Sequence, residues 1–167
     1  MLWRRDRAKK YIEKDVDWWT LIFFMLLFAK VGALKYTGVT DIFSKGIAGL
    51  ANGSQFFMTT FILWVSAIGS SILDNVVLVA TFIPVIGELK AMGIDVSSLW
   101  WALLFGGCLG GNITMVGSTA NIVALGMLEK RPGSNISFFQ WFKIGSVIGL
   151  LTTGIVWFIL ITFNSFF

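Results

Sequence analysis

The chain has 167 residues, 56% of them hydrophobic and only 13% charged, with a formal net charge of +4. A soluble domain carries roughly 25% charged residues, so this composition describes an integral membrane protein. It excludes a nucleic-acid binder, whose basic residues would form one patch instead of gathering at segment ends. With no histidine and a single cysteine, Cys108, it also excludes an imidazole relay, an internal disulfide and a multi-thiol metal site.

Residues 1–15 carry Arg4, Arg5, Arg7, Lys9, Lys10 and Lys14 ahead of the first apolar run. They read as a cytoplasmic basic leader, too polar for a signal peptide. Residues 16–34 are long enough for one crossing, which needs ~20 residues, and Lys30 near the end of this span can snorkel to the interface. Residues 40–52 are too short to span. Asp41 and Lys45 lie on one side, with Ile42, Phe43, Ile47 and Leu50 at helical spacing, which predicts an interfacial amphipathic helix.

Residues 56–87 form the next apolar block, interrupted by Ser70-Ser71-Ile72-Leu73-Asp74-Asn75. One straight helix would run ~48 Å, beyond a ~30 Å hydrocarbon core, while two full crossings need more residues. A re-entrant hairpin with Asp74-Asn75 at its tip meets both limits. Residues 99–128 are again too long for one straight span, at ~45 Å. They contain Gly106, Gly107, Gly110 and Gly111, then Asn112, Thr114, Gly117, Ser118, Thr119 and Asn121. A helical glycine costs about 0.5–1 kcal/mol relative to alanine, so the glycine cluster argues against continuous helix there. The block reads as one crossing in two half-helices, unwound near residues 110–118. Residues 129–134 form a polar turn, and residues 142–163 are the last span, entered through Lys143. With the 56–87 block re-entrant, the basic leader shares one side with Lys130, Arg131 and Lys143. The positive-inside rule then sets the N-terminus in the cytoplasm and the C-terminus outside, in the cell membrane.

Asp74 is the one acid placed at membrane depth, where a carboxylate must pair, cap a helix or bind a cation. As a cap, Asp74 or Asn75 would accept from the amides of Val77 and Leu78. As a cation or proton site, it would be joined by Asn75 and Ser71. The second motif offers Asn112, Thr114, Gly117, Ser118, Thr119 and Asn121 beside freed backbone groups, with Ser118 or Thr119 capping the second half-helix. Two half-helix N-termini, after Asp74-Asn75 and after Ser118-Thr119, would then converge, suited to an anionic or polar substrate. The opposing C-termini, near Ile72 and Leu109, offer carbonyls to sodium, which would sit against Asp74, Asn75 and Asn112. The competing reading of the glycines is a close helix-packing interface.

Ser71 through Asn75, running into Val76-Val77-Leu78-Val79-Ala80-Thr81-Phe82-Ile83-Pro84-Val85, resembles the hairpin motif of the arsenite-efflux and sodium–proton-antiporter ion transporter superfamily. Gly110 through Val123 resembles its second signature, and Ile136 through Gly145 resembles the segment that succeeds that signature in the family. Val16 through Phe24 is similar to the span opening the same half. Relatives of this kind include citrate-transporter-like permeases and the melanosomal P protein. The resemblance implies an all-α membrane fold of two inverted repeats, each with a hairpin and a broken helix, sharing one site. It implies that Asn75 and the stretch from Asn112 to Asn121 contribute to that site. It covers nearly the whole chain but only the C-terminal half of a typical member, so a separately encoded or missing N-terminal half is expected as the partner.

The expected function is half of a secondary transporter, for an inorganic or carboxylate anion of the citrate or arsenite type or for sodium–proton exchange. No cofactor is expected beyond a coupling sodium ion or proton. The alternative is a non-transporting membrane subunit or an inert remnant of a split gene. An enzyme is not expected: Asp74 lacks a second membrane acid, and no Ser/His or metal constellation exists.

Overall fold

The computed structural model describes residues 18–129 and 136–162, and among them every regular element is a helix. In chain order these are α1 (Trp18–Tyr36), α2 (Val39–Ala51), α3 (Gln55–Ile72), α4 (Asn75–Ala91), α5 (Ser97–Gly110), α6 (Thr119–Glu129) and α7 (Phe138–Thr162). Helices α1, α3 and α7 are long and apolar enough to cross a membrane. The basic leader and the 130–135 part of the polar turn lie outside the described residues.

Helices α3 and α5 form the closest pair and run parallel. Thr59 meets Ser98 at the lower end (Oγ1 to Oγ 3.1 Å), and the Ser70 hydroxyl donates to the Gly107 carbonyl (2.5 Å) near the top. Gly106 and Gly110 make that approach possible. A Cβ on Gly106 would lie 2.5 Å from the Leu63 carbonyl oxygen, and one on Gly110 would enter the backbone of Ala67. The unwound stretch expected near residues 110–118 runs from Gly111 to Ser118, while Gly106 and Gly107, which argued against continuous helix, lie within α5, unbroken to Gly110. The helix tolerates its glycines because packing against α3 recovers more than their intrinsic cost. The core lies along this seam, with Met58, Ile62, Leu63, Leu99 and Leu103 buried against Ile86 and Leu89 of α4.

Helices α3 and α4 form a hairpin. Gln55, the first residue of α3, donates through Nε2 to the Asp95 carbonyl and the Ser98 hydroxyl (both 2.8 Å), just beyond the end of α4. The chain therefore returns to its starting level, with Leu73 and Asp74 at the tip. The two arms have 18 and 17 residues, and α3 alone reaches the length of a crossing. Residue count therefore does not separate a re-entrant pair from a crossing pair, because helix extends to Gln55 and Ala91, beyond the 56–87 block.

Helix α1 runs parallel to α4. Lys35 near its end pairs with Glu88 (3.8 Å), and Phe28 shares a small cavity with Val79, Ala80 and Ile83. Its inward stripe is Phe24, Leu27, Val31 and Leu34; the rest, Lys30 included, is exposed. Helix α2 packs on α4 with Thr40, Ser44, Ile47 and Ala51 buried. Of the apolar residues read at helical spacing only Ile47 is buried; Ile42, Phe43 and Leu50 are exposed on a separate face, and Asp41 and Lys45 pair (2.7 Å) on a third. Helix α7 runs antiparallel to α5, setting Gly149 against Ile113 and Trp157 against Thr60 (Nε1 to Oγ1 3.0 Å). It begins at Phe138, four residues before the expected 142. The reason is a capping box: Gln140 N–H donates to the Ser137 hydroxyl (3.3 Å) and Ser137 N–H to Gln140 Oε1 (2.9 Å).

The loop before α5 carries a titrating contact. Asp95 Oδ1 accepts from the Ser97 N–H (3.0 Å) and then from the Ser97 hydroxyl (2.9 Å), and these bonds hold its carboxyl below the usual 3.8. A depressed carboxylate stabilises the fold above its unfolded value and loses that contribution as pH falls through its folded value. Protection of the Ser97 amide against hydrogen exchange should therefore weaken as pH drops below 3.8, and Asp95→Asn should remove that dependence.

Candidate functional site

Because α3 and α5 are parallel and in step, their interruptions fall at one level. At the first, Leu73 and Asp74 take extended backbone (ψ 150° and 137°), and the Asp74 carboxylate turns onto the start of α4. Its Oδ1 accepts from the Val76 N–H at 2.9 Å; the cap is real, on Val76 instead of Val77 and Leu78. At the second, the chain unwinds from Gly111 to Ser118 before α6 begins at Thr119, where the Asn121 and Ile122 amides bond the Ser118 carbonyl (3.0 and 3.3 Å).

Side chains of the unwound segment stitch it to the hairpin tip. The Thr114 hydroxyl donates to the Ser71 carbonyl and accepts from the Gly117 N–H (3.0 Å). Asn121 Nδ2 reaches the carbonyls of Gly111 (3.1 Å) and Thr114 (3.3 Å), closing the loop on itself. Across the gap, the Thr119 hydroxyl donates to Asp74 Oδ2 at 2.6 Å. One carboxylate thus spans two helix starts, capping α4 with one oxygen and holding the first residue of α6 with the other. Two positive helix ends beside one negative group is a balanced arrangement.

Not every residue singled out from sequence lies at this junction. Ser71 contributes its carbonyl, while its hydroxyl donates back to Ile68 within α3 (2.6 Å). Gly117 is a close-approach position: a Cβ there would sit 2.6 Å from the Ser70 carbonyl oxygen. Asn75 and Asn112 line different cavities, Asn75 beside Phe28 of α1 and Asn112 on the α7 side. Two residues that sequence reasoning passed over do reach the region. Gln140 and Trp141, in the first turn of α7, line a cavity of about 680 Å³ with Asn112 and Asn121, and the Trp141 indole donates to the Asn112 carbonyl (3.3 Å). The Ser-x-x-Gln capping pattern was the signal that could have found them.

A paired-helix junction of this kind sits in a chain whose residues 1–106 match the model of a known family, described as citrate transporter. The chain belongs to the citrate transporter family. An uncharacterised transporter of Mycobacterium tuberculosis is 43% identical over 137 residues, covering 80% of this chain and 32% of its own length. A 46 kDa membrane protein of Mycobacterium leprae is 40% identical over 147 residues, 84% of this chain and 34% of that protein. The human P protein is 37% identical over 138 residues, 78% of this chain and 16% of its own. The chain thus spans about a third of the length of these bacterial relatives and a smaller share of the human one. No solved structure matches.

Proposed function

We propose that this chain is one repeat of a secondary transporter in the cell membrane. It moves an inorganic or carboxylate anion of the citrate or arsenite type, or exchanges sodium for protons, together with an N-terminal half supplied separately. The observation that carries the reading is the 2.6 Å bond from Thr119 to Asp74, which joins the two helix breaks at one level. Discontinuous helices whose ends meet at membrane depth are how secondary transporters build ion and substrate sites.

Helix levels support a re-entrant hairpin. The described part of α1 starts ~9 Å beyond the level of Asn75, taking Phe28 beside Val79 and 1.5 Å per residue. Helix α7 starts ~10 Å beyond the level of Asn112, which Gly145 touches. Both breaks would then lie inside a bilayer that α1 and α7 cross, with the N-terminus and the α6–α7 turn on the cytoplasmic side. In this reading Asp74 couples sodium or a proton, and Asn112, Thr114, Ser118, Thr119 and Asn121 face the substrate. A non-transporting membrane subunit is the second reading.

The test uses everted membrane vesicles holding this chain and a family N-terminal half, with a preset pH gradient. Sodium-dependent collapse that disappears in Asp74→Asn is the expected result. No collapse in vesicles shown to hold both halves removes the cation-exchange mode and sends the assay to arsenite and carboxylate fluxes; silence there as well leaves the non-transporting reading.

A further inference from the structure

The outward stripe of α1 runs through Trp19, Phe23, Leu26, Lys30 and Ala33, all exposed, opposite the stripe that packs inward. Lys30 was expected to snorkel to the interface, but the helix levels set it deep. With Phe28 beside Val79, Phe24 stands level with Asn75, and Lys30 lies ~9 Å beyond the breaks. Helix α1 starts ~9 Å on their other side, while α4 ends ~24 Å and α7 ~25 Å beyond them. Lys30 is therefore ~18 Å from one end of the bundle and ~16 Å from the other, near the middle of a ~30 Å hydrocarbon core. Helix α1 itself ends ~9 Å past Lys30, but the apolar surface continues on that flank. There α2 joins the core beside Leu89 and Leu160 through Ile47 and Ala51, and exposes Ile42, Phe43 and Leu50. The Lys30 Cβ leans toward the start of α1, as in any helix, so its stem does not aim at the outer surface. Lys30 forms no ion pair among the described residues.

We propose that the outward face of α1 docks a transmembrane helix carrying an aspartate or glutamate, whose carboxylate pairs with Lys30. That helix belongs to the separately supplied half, which ties this face to the reading of the chain as one repeat of a transporter. Charge selects the occupant: acyl chains offer nothing to an ammonium at this depth, whereas a carboxylate compensates it. Ala29, Gly32 and Ala33 surround Lys30 with small exposed positions, and nothing lies within 4 Å of a would-be Cβ on Gly32. Small residues of this kind let a second helix backbone approach closely. A second copy of this chain in the same orientation brings no described acid to the level of Lys30. Asp74 lies ~9 Å nearer the start of α1, and Glu88, already paired with Lys35, lies ~10 Å farther out.

One measurement takes the full 167-residue chain alone in phosphatidylcholine nanodiscs. Without a partner the charge is uncompensated, so Lys30→Leu should melt at a higher temperature than wild type, with equal helix content by circular dichroism. An equal melting temperature assigns Lys30 to the lipid headgroups, and a lower one to a pair within the chain; either overturns the proposal. A second measurement co-expresses the chain with a tagged family N-terminal half and reads how much chain the tag retains after purification. Lys30→Arg should be retained like wild type and Lys30→Glu at least about tenfold less. Changing one membrane-embedded acid of the half to lysine should restore retention of Lys30→Glu. Wild-type retention of Lys30→Glu overturns the proposal and leaves the transporter reading standing. So does a loss that no such exchange restores, since Lys30→Glu then fails in its own insertion. No retention of wild type, with both chains present in the membrane, overturns the split-transporter reading and this occupant with it.

Discussion

Gly110→Ala should destabilise the chain by about 3 kcal/mol, the upper end of the usual cost of overpacking. The added methyl would occupy the space of Ala67 backbone atoms, which cannot rotate away as a side chain can. Helices α3 and α5 must then separate along their shared seam, where Leu63, Leu99 and Leu103 are fully or almost fully buried. Loss spreads along the seam because the packed core does not deform locally. Gly87 in α4 is the internal control, with nothing within 4 Å of its would-be Cβ. There alanine only improves helix propensity, so Gly87→Ala should be neutral or stabilising by up to about 1 kcal/mol. Denaturant unfolding of both variants in mixed micelles, read by circular dichroism, measures the contrast. Equal stability of Gly110→Ala and wild type would mean that the close approach of α3 and α5 is not what holds this fold.

The glycines also show where sequence reasoning reached its limit. A missing Cβ permits either a backbone break or a close helix approach, and the residue letter does not say which. Gly106 and Gly110 serve packing, Gly111 opens the break, and only the three-dimensional neighbours separate them. Helix α2 carries a related lesson. Ile42, Phe43, Ile47 and Leu50 were expected at helical spacing on an interfacial amphipathic helix, yet only Ile47 packs on α4, with Thr40, Ser44 and Ala51, while Ile42, Phe43 and Leu50 point out. Around a lipid-embedded core, large apolar side chains are at no disadvantage facing outward, and small ones let helices approach. What the sequence did make legible was the pair of interruptions and the meeting of the helix starts after Asp74 and Ser118. That came from polar residues and glycines interrupting runs otherwise apolar enough to span a membrane. The separation of Asn75 from Asn112 was not legible, because it depends on which flank of the hairpin each break presents.

Thr119→Val should uncouple the two breaks without changing their shape, and its effect should differ from that of Asp74→Asn. Valine fills the space of threonine but removes the donor that meets Asp74 Oδ2 at 2.6 Å. A hydrogen bond to a charged group contributes about 1.5–3 kcal/mol, so the tie between hairpin and broken helix loses roughly that much. Asp74→Asn removes the charge but can keep both contacts. Its amide oxygen still accepts from Val76 N–H, and its NH₂ can donate to the Thr119 hydroxyl oxygen. If Asp74 acts mainly as a cross-tie, Thr119→Val should lower both unfolding stability and flux about tenfold or more, with Asp74→Asn close to wild type in each. If Asp74 couples a cation, Asp74→Asn should abolish ion-driven flux at near wild-type stability, while Thr119→Val keeps ion dependence at reduced rate. Denaturant unfolding together with flux in the assembled vesicles reads both quantities on the same variants. The charge and the tie reside in one carboxylate, but these two substitutions remove them separately, which makes the role of Asp74 decidable.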